Sequence, residues 1–323
     1  MARPTVTSAP LASPISTKKE FYIGVALAVV TALIWSGNYV VARGIYKQLP
    51  PVSLAFHRWL LASICIAPLA WRKFLQERKP IWQNKSYLIW TAICGITIFN
   101  TFIYIAGHFT SAINLALIGT TSAPVFAAFL AVIFLKERMS SLRITGMAIC
   151  ILGILYLLSA GSWEKLTKFH FGKGDLLILI SAFSFAIYNT LVRKKPSSIS
   201  PIVFLFVVFS IGTFFLFPFY IYEWYHQPRV QWNLNIILII IYLGIGNSII
   251  AFFCWNASIA RLGASGTALF ANLIPVFSTI EAVLFLGEEF SMVHLVSGVL
   301  VISGLVIANL FVSRKDAKET QRR

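Results

Sequence analysis

Acid is scarce in this chain. There are 11 Asp plus Glu in 323 residues, against 27 Lys plus Arg. Only two are aspartates, Asp175 and Asp316, so a carboxylate-rich metal site has no supply of ligands. Charged residues make up 12% of the chain, about half the usual share of a globular protein. The four cysteines, Cys65, Cys94, Cys150 and Cys254, lie inside apolar runs with no metal or redox spacing, and core packing is their expected role. No Gly-x-x-x-x-Gly-Lys-Ser/Thr phosphate loop occurs, so direct drive by ATP is not supported. No segment between apolar runs is long enough to build a water-soluble core.

What is abundant is apolar surface. Hydrophobic residues are 58% of the chain, and the mean hydropathy is +0.79. Apolar runs fall at about 21–42, 52–71, 87–107, 112–135, 142–160, 175–193, 201–222, 236–258, 264–286 and 291–312. Each is long enough to cross a bilayer as a helix, and in lipid the helix is the element that satisfies its own backbone. The expected fold is therefore an all-α membrane protein of ten transmembrane helices. The first run is retained rather than cleaved. Residues 1–20 read as a disordered cytoplasmic tail, rich in Ser, Thr, Pro and Ala.

The second half of the chain repeats the first. Shifted by 150, Gly24 meets Gly174, Leu27 meets Leu177, Ala32 meets Ala182, Arg43 meets Arg193, Pro51 meets Pro201 and Pro68 meets Pro218. Further on the shift is 151, and Pro124-Val125-Phe126 meets Pro275-Val276-Phe277. Five spans per copy is an odd number, so the copies enter the membrane from opposite sides. Two inverted five-helix repeats, 21–160 and 175–312, joined by an outer linker at 161–174 and followed by a basic tail at 313–323, are the pattern of a secondary transporter.

The net charge of +16 raises nucleic acid as a partner. Position excludes it, because the basic residues lie between spans, where lipid and topology account for them. With the N-terminus inside, the inner segments carry 20 Lys and Arg and the outer segments 6. That bias places both termini in the cytoplasm, in a plasma membrane of the bacterial inner-membrane type.

Several stretches match a known family: Ile34–Arg43 (IWSGNYVVAR), Phe56–Ala62 (FHRWLLA), Tyr104–Ile118, Ser122–Phe126 (SAPVF), Phe134–Arg138 (FLKER), Gly146–Leu158, Ile274–Phe277 (IPVF) and Phe285–Glu289 (FLGEE). In order and spacing the chain resembles the EamA family of the drug/metabolite transporter superfamily, from Phe21 to Val312. The resemblance implies a ten-span carrier with a central cavity and alternating access, moving amino acids or other small metabolites, often outward. It also implies that the fifth and tenth helices are peripheral and can meet a second copy as a homodimer. Gly146, Gly153, Gly298 and Gly304 would let those helices approach closely. No cofactor is implied.

Polar groups deep in spans are expensive, so they are the candidate site. Glu281 is the acid furthest from any loop and is the coupling candidate, or a partner for a substrate amine. Its repeat counterpart is Leu130. Arg58 lies two turns into the second span, where it would hold a substrate carboxylate, or lock Glu281 or another span; its counterpart is Val208. Trp35, Asn38 and Tyr39 in the first span align with Phe185, Tyr188 and Asn189 in the sixth, which keeps an amide beside a phenol in both copies. Asn100, Tyr104 and His108 share one helical face at spacing four. Tyr104 aligns with Trp255, and the two would wall a cavity; Asn247 and Asn256 are further polar candidates. Interhelical hydrogen bonding or packing competes with substrate binding at each of these positions. Pro124 and Pro275 are hinge candidates, because proline deletes a backbone bond. Glu137 and Glu288 end the fourth and ninth spans and would stitch helix ends to neighbouring loops.

The leading expectation is a carrier that exports a small amphiphilic or zwitterionic metabolite such as an amino acid. The alternative is uptake or exchange of an anionic or nucleotide-like metabolite. A membrane enzyme is disfavoured by one deep acid and five scattered histidines. A non-transporting sensor is disfavoured by the lack of a soluble output domain.

Overall fold

In a computed structural model, residues 18–135, 141–162, 164 and 172–321 are described. The tail before residue 18, Glu137 and most of the linker between the repeats lie outside them. The described residues form helices and no strand. The first repeat contains α1 (Lys18–Gly44), α2 (Pro51–Gln76), the short α3 (Arg78–Gln83), α4 (Lys85–Ala92), α5 (Phe99–Ala106), α6 (Ala112–Leu135) and α7 (Ser141–Leu158). The second contains α8 (Lys173–Arg193), α9 (Pro201–His226), α10 (Leu234–Ile241), α11 (Ala251–Ala268), α12 (Ile274–Leu286) and α13 (Met292–Gln321). A π-helical segment, Ile93–Ile98, joins α4 to α5, and another, Tyr242–Ile250, joins α10 to α11. A 3-10 turn, Leu269–Leu273, precedes α12.

Eight of the resulting rods are long and apolar enough to cross a membrane, and two shorter apolar helices, Ile144–Leu158 and Met292–Ala308, accompany them. Large apolar side chains stand exposed around the bundle, among them Leu152, Phe214, Leu284 and Phe285. Such a surface would not be sustained in water. In a bilayer it is the lipid contact.

Packing is between the repeats, and it is mirrored. Helix α1 lies against α11 and α12, and its counterpart α8 lies against α5 and α6. Helix α2 packs on its own counterpart α9, and α7 on α13. The last pair is the tightest: a Cβ on Gly304 would lie 2.6 Å from the Gly146 carbonyl oxygen. Gly153 meets Leu300 and Val301. Three of the small residues that suggested close approach are therefore spent inside one chain.

Carboxylates cap helix starts across the repeat. Proline opens both α2 and α9, as suits a first helical position, and leaves the next amides without intrahelical partners. Glu223 at the end of α9 accepts from the Val52 and Ser53 amides at 3.0 and 2.7 Å. Glu77 accepts from the Ser200 amide at 2.9 Å. Glu288 accepts from the Ala112 and Ile113 amides that open α6, at 2.7 and 3.1 Å.

Candidate functional site

Three rods bring polar groups to Arg58 on α2. Its side chain is only 4% exposed. Nη1 donates to Asn38 Oδ1 on α1 (2.7 Å), and to Asn100 Oδ1 (2.8 Å) and Tyr104 Oη (2.7 Å) on α5. Nη2 donates to Asn247 Oδ1 (2.8 Å) and Nε to Ser248 Oγ (3.0 Å), both in the second π segment. The i, i+4 spacing of Asn100 and Tyr104 places both on the face that meets Arg58. In the π segment the Ser248 hydroxyl donates to the Leu243 carbonyl five residues back, at 2.8 Å. Asn247 Nδ2 donates to the Ile34 carbonyl at 2.8 Å, which fixes the amide with its oxygen toward Arg58. The guanidinium also lies 4.6 Å from the Trp59 ring centre.

This cage contains no carboxylate. Its five contacts are charge-assisted, but Nη1 shares two hydrogens among three acceptors, so four hydrogens are engaged, each worth about 1.5–3 kcal/mol, enough to offset burial of a cation. The bookkeeping leaves something over. A guanidinium has five N–H hydrogens, and one on Nη2 has no acceptor among the described contacts. A buried cation with a spare donor is suited to an anionic oxygen.

Beside the cage lie two indoles. Trp35 donates from Nε1 to the Asn247 carbonyl at 3.2 Å, and its ring centre is 5.0 Å from that of Trp255. Trp35, Asn38, Arg58, Asn100, Tyr104 and Trp255 thus form one neighbourhood built from both repeats. The remaining candidates do not join it by hydrogen bonds. Tyr39 is buried against Gly119 of α6. Tyr188 covers Gly95 of the first π segment and stacks on Phe185 at 5.6 Å. Asn189 is half-buried on α8. The amide–phenol pairs aligned by the repeat therefore serve different neighbourhoods. Asn256 is exposed and bonds its own helix at Phe252.

Glu281 stands elsewhere. Its Oε1 is 2.8 Å from Ser36 Oγ on α1, and its Oε2 is buried with no partner. Ser36 and Asn38 are two residues apart, so they point about 200° from one another around α1. Arg58 and Glu281 consequently lie on opposite faces of α1, so Arg58 bonds other spans and not Glu281. The prolines also differ. Pro124 lies within the continuous α6, whereas Pro275 opens α12 directly after the 3-10 turn.

Toward the end of the bundle that carries the α1–α2 connection is a cavity of about 580 Å³, lined by Tyr46, Lys47, His108, Glu223, Arg229 and Asn233 among others. His108 packs edge-on against Tyr46 at 5.3 Å. Burial, with Arg43 nearby, holds its imidazole below the usual histidine range, against an opposing pull from Glu223. Sequence reasoning missed Ser36, Tyr242, Ser248 and Ser278. The polar run Ser36-Gly37-Asn38 was a signal for the first of them.

The model of the EamA-like transporter family matches residues 22–159 and 172–310. An uncharacterised transporter of Archaeoglobus fulgidus is 28% identical over 87% of this chain and 95% of its own length. A probable amino-acid metabolite efflux pump of Salmonella typhimurium is 28% identical over 88% of this chain and 94% of its own. A probable terminal-alkyne amino-acid exporter of Streptantibioticus cattleyicolor is 25% identical over 87% and 91%. A protein crystal structure at 19% identity superposes with a TM-score of 0.59, covering 93% of this chain and 99% of its own. At that identity it shows the fold alone.

Proposed function

We propose a substrate and a mechanism for this chain, which belongs to the EamA-like transporter family and is a multi-pass membrane transporter. It is an alternating-access carrier that exports amino acids or similar small zwitterionic metabolites across a bacterial inner membrane. All ten apolar helices cross, in two inverted repeats, with both termini in the cytoplasm. The observation that carries the substrate class is the Arg58 cage. A spare guanidinium hydrogen suits a carboxylate, the amides of Asn38, Asn100 and Asn247 surround it with neutral polarity, and Trp35 and Trp255 offer an apolar wall to a side chain. The names carried by the Salmonella and Streptantibioticus relatives support the same class.

Movement is placed at the break before Pro275, where the 3-10 turn interrupts the span, with Pro124 as its partner in the other repeat. Exchange of an anionic or nucleotide-like metabolite is the second reading. Lys47 and Arg229 at the outer cavity favour it.

Counterflow into proteoliposomes tests the choice. Vesicles loaded with one unlabelled amino acid should accumulate the labelled form, and Arg58→Ala should weaken carboxylate-bearing substrates more than their amides. Exchange of a nucleotide with no amino-acid exchange would overturn the leading reading.

A further inference from the structure

We infer that Glu281 is a proton site, built between α12 and α1, that works on the opposite face of α1 from the Arg58 cage. This deepens the carrier reading by naming its coupling ion, and it rests on that reading.

The first support is a count of hydrogens. Ser36 Oγ lies 2.7 Å from the Leu33 carbonyl oxygen and 2.8 Å from Glu281 Oε1. A serine hydroxyl has one hydrogen, and both of these neighbours accept when the acid is ionised. Both contacts are satisfied together when Glu281 carries a proton. The carboxyl O–H then donates to Ser36 Oγ, and Ser36 donates to the Leu33 carbonyl.

The second support is the surroundings. Glu281 has no cationic partner among the described hydrogen bonds and ion pairs. Helix α12 packs on α1, on α6 and on the 3-10 turn. Residues 112–135 and 269–273 contain no Asp, Glu, Lys, Arg, His, Cys or Tyr. On α1 the titratable and charged side chains are Lys18, Lys19, Glu20, Tyr22, Tyr39 and Arg43. Glu20 pairs with Arg261 at 2.9 Å and Arg43 donates to the Gly107 carbonyl at 3.1 Å. The Tyr242 phenol, which also feels Arg58 and Glu281, donates to the Ile34 carbonyl at 2.5 Å. On α12 itself, Glu288 and Glu289 lie beyond its end.

The third support is a stranded hydroxyl. Ser278, three residues before Glu281 and on the same helical face, is fully buried, and its Oγ has no partner. When the proton leaves Glu281 for water, Ser36 can turn its hydrogen from Leu33 to the carboxylate, and Ser278 can donate to it as well. No other group changes its proton count. Loss of one proton thus breaks a bond within α1, reverses the bond between α1 and α12, and makes one within α12. Because Ser36 and Asn38 are on the same helix, this change reaches the cage without direct contact between Glu281 and the substrate.

The test is infrared difference spectroscopy on the full chain in liposomes as pH is raised. The parent should lose a protonated-carboxyl C=O band; Glu281→Gln should lack that band, and Ser36→Ala should move its frequency. A band that survives in Glu281→Gln, or that is unmoved in Ser36→Ala, overturns the inference. Transport of labelled L-threonine and L-leucine gives the second readout. The ratio of pH-gradient-driven flux to counterflow should fall to that of the gradient-free control in Glu281→Gln. An unchanged ratio, or drive by a Na⁺ gradient that requires Glu281, refutes proton coupling. If the parent shows no amino-acid counterflow, the substrate reading fails, and the infrared band still decides the fate of Glu281.

Discussion

Replacing Asn100 by leucine should have opposite effects with and without Arg58. In the parent, Asn100 Oδ1 accepts from Arg58 Nη1 at 2.8 Å. Asn100→Leu deletes one of three contacts that share two Nη1 hydrogens, a loss of about 0.5–1.5 kcal/mol. In an Arg58→Met background the donors are already gone. Asn38 Oδ1 keeps Tyr104 Oη at 3.0 Å, and Ser248 keeps the Leu243 carbonyl. Asn247 cannot turn, because its Nδ2 holds Ile34. Two buried oxygens are then stranded, on Asn100 and Asn247. Removing the first by Asn100→Leu should return about 1–3 kcal/mol. The cost of burying the cation is common to both sides of the cycle and cancels. The coupling energy is therefore expected at about 1.5–4.5 kcal/mol, well above the ~0.6 kcal/mol average for interhelical bonds in membranes. Reversible unfolding in mixed micelles, followed by tryptophan fluorescence, measures it for the four proteins. Equal costs of Asn100→Leu in both backgrounds, within about 0.5 kcal/mol, would refute the cage as drawn.

Two further outcomes are expected. Gly304→Ala should destabilise the protein by about 1–3 kcal/mol, since the new methyl meets the backbone of Gly146 and Cys150; Gly266→Ala, whose Cβ meets only Leu262 at 3.5 Å among the described residues, should cost nothing in the same micelle unfolding assay. His108 is held below the usual histidine range in the folded state, so the unfolded chain binds its proton first as pH falls. Its stabilising contribution is present above the ordinary histidine value and declines below it, and His108→Gln should flatten the loss of stability measured between about pH 7.5 and 5.5.

The sequence carried the bundle because lipid forces a simple grammar of apolar runs. It also exposed most members of the cage. Arg58 was conspicuous as a cation in a span, Asn100 with Tyr104 announced a face through their spacing, and Asn38 and Asn247 stood among the polar candidates. Ser248, and the meeting of Asn247 with Arg58, were hidden by backbone geometry. Asn247 and Ser248 reach Arg58 across about 190 residues of sequence from a π segment, and a helix drawn with 3.6 residues per turn misplaces them. Repeat alignment misled where the copies diverge. It paired Asn38 with Tyr188 and Tyr39 with Asn189, yet only Asn38 touches Arg58. It also concealed the reciprocal caps, because Glu223 aligns with Lys73 and not with Glu77. Charge pairs across the bundle leave no periodic trace.

The same divergence bears on how a mirrored bundle can have unequal ends. Each first helix serves the π segment of the opposite repeat. Ser181 and Ser184 of α8 donate to the carbonyls of Phe99 and Cys94 at 2.7 and 2.9 Å. Thr31 and Trp35 of α1 lie 3.3 and 3.2 Å from the carbonyls of Ala251 and Asn247. Thr31 and Ser181 are counterparts in the repeat, so this part of the scaffold is symmetric. The cage is not. The counterparts of Arg58, Asn38, Asn100 and Tyr104 are Val208, Tyr188, Ala251 and Trp255, which cannot build a second charged centre. One end of the bundle is therefore held by directional bonds to a buried cation and the other by contact between apolar and aromatic surfaces. On the proposed reading, a carboxylate that takes the spare Nη2 hydrogen adds a bond at one end only, and such differential affinity is what a ligand needs to shift an equilibrium between two conformations.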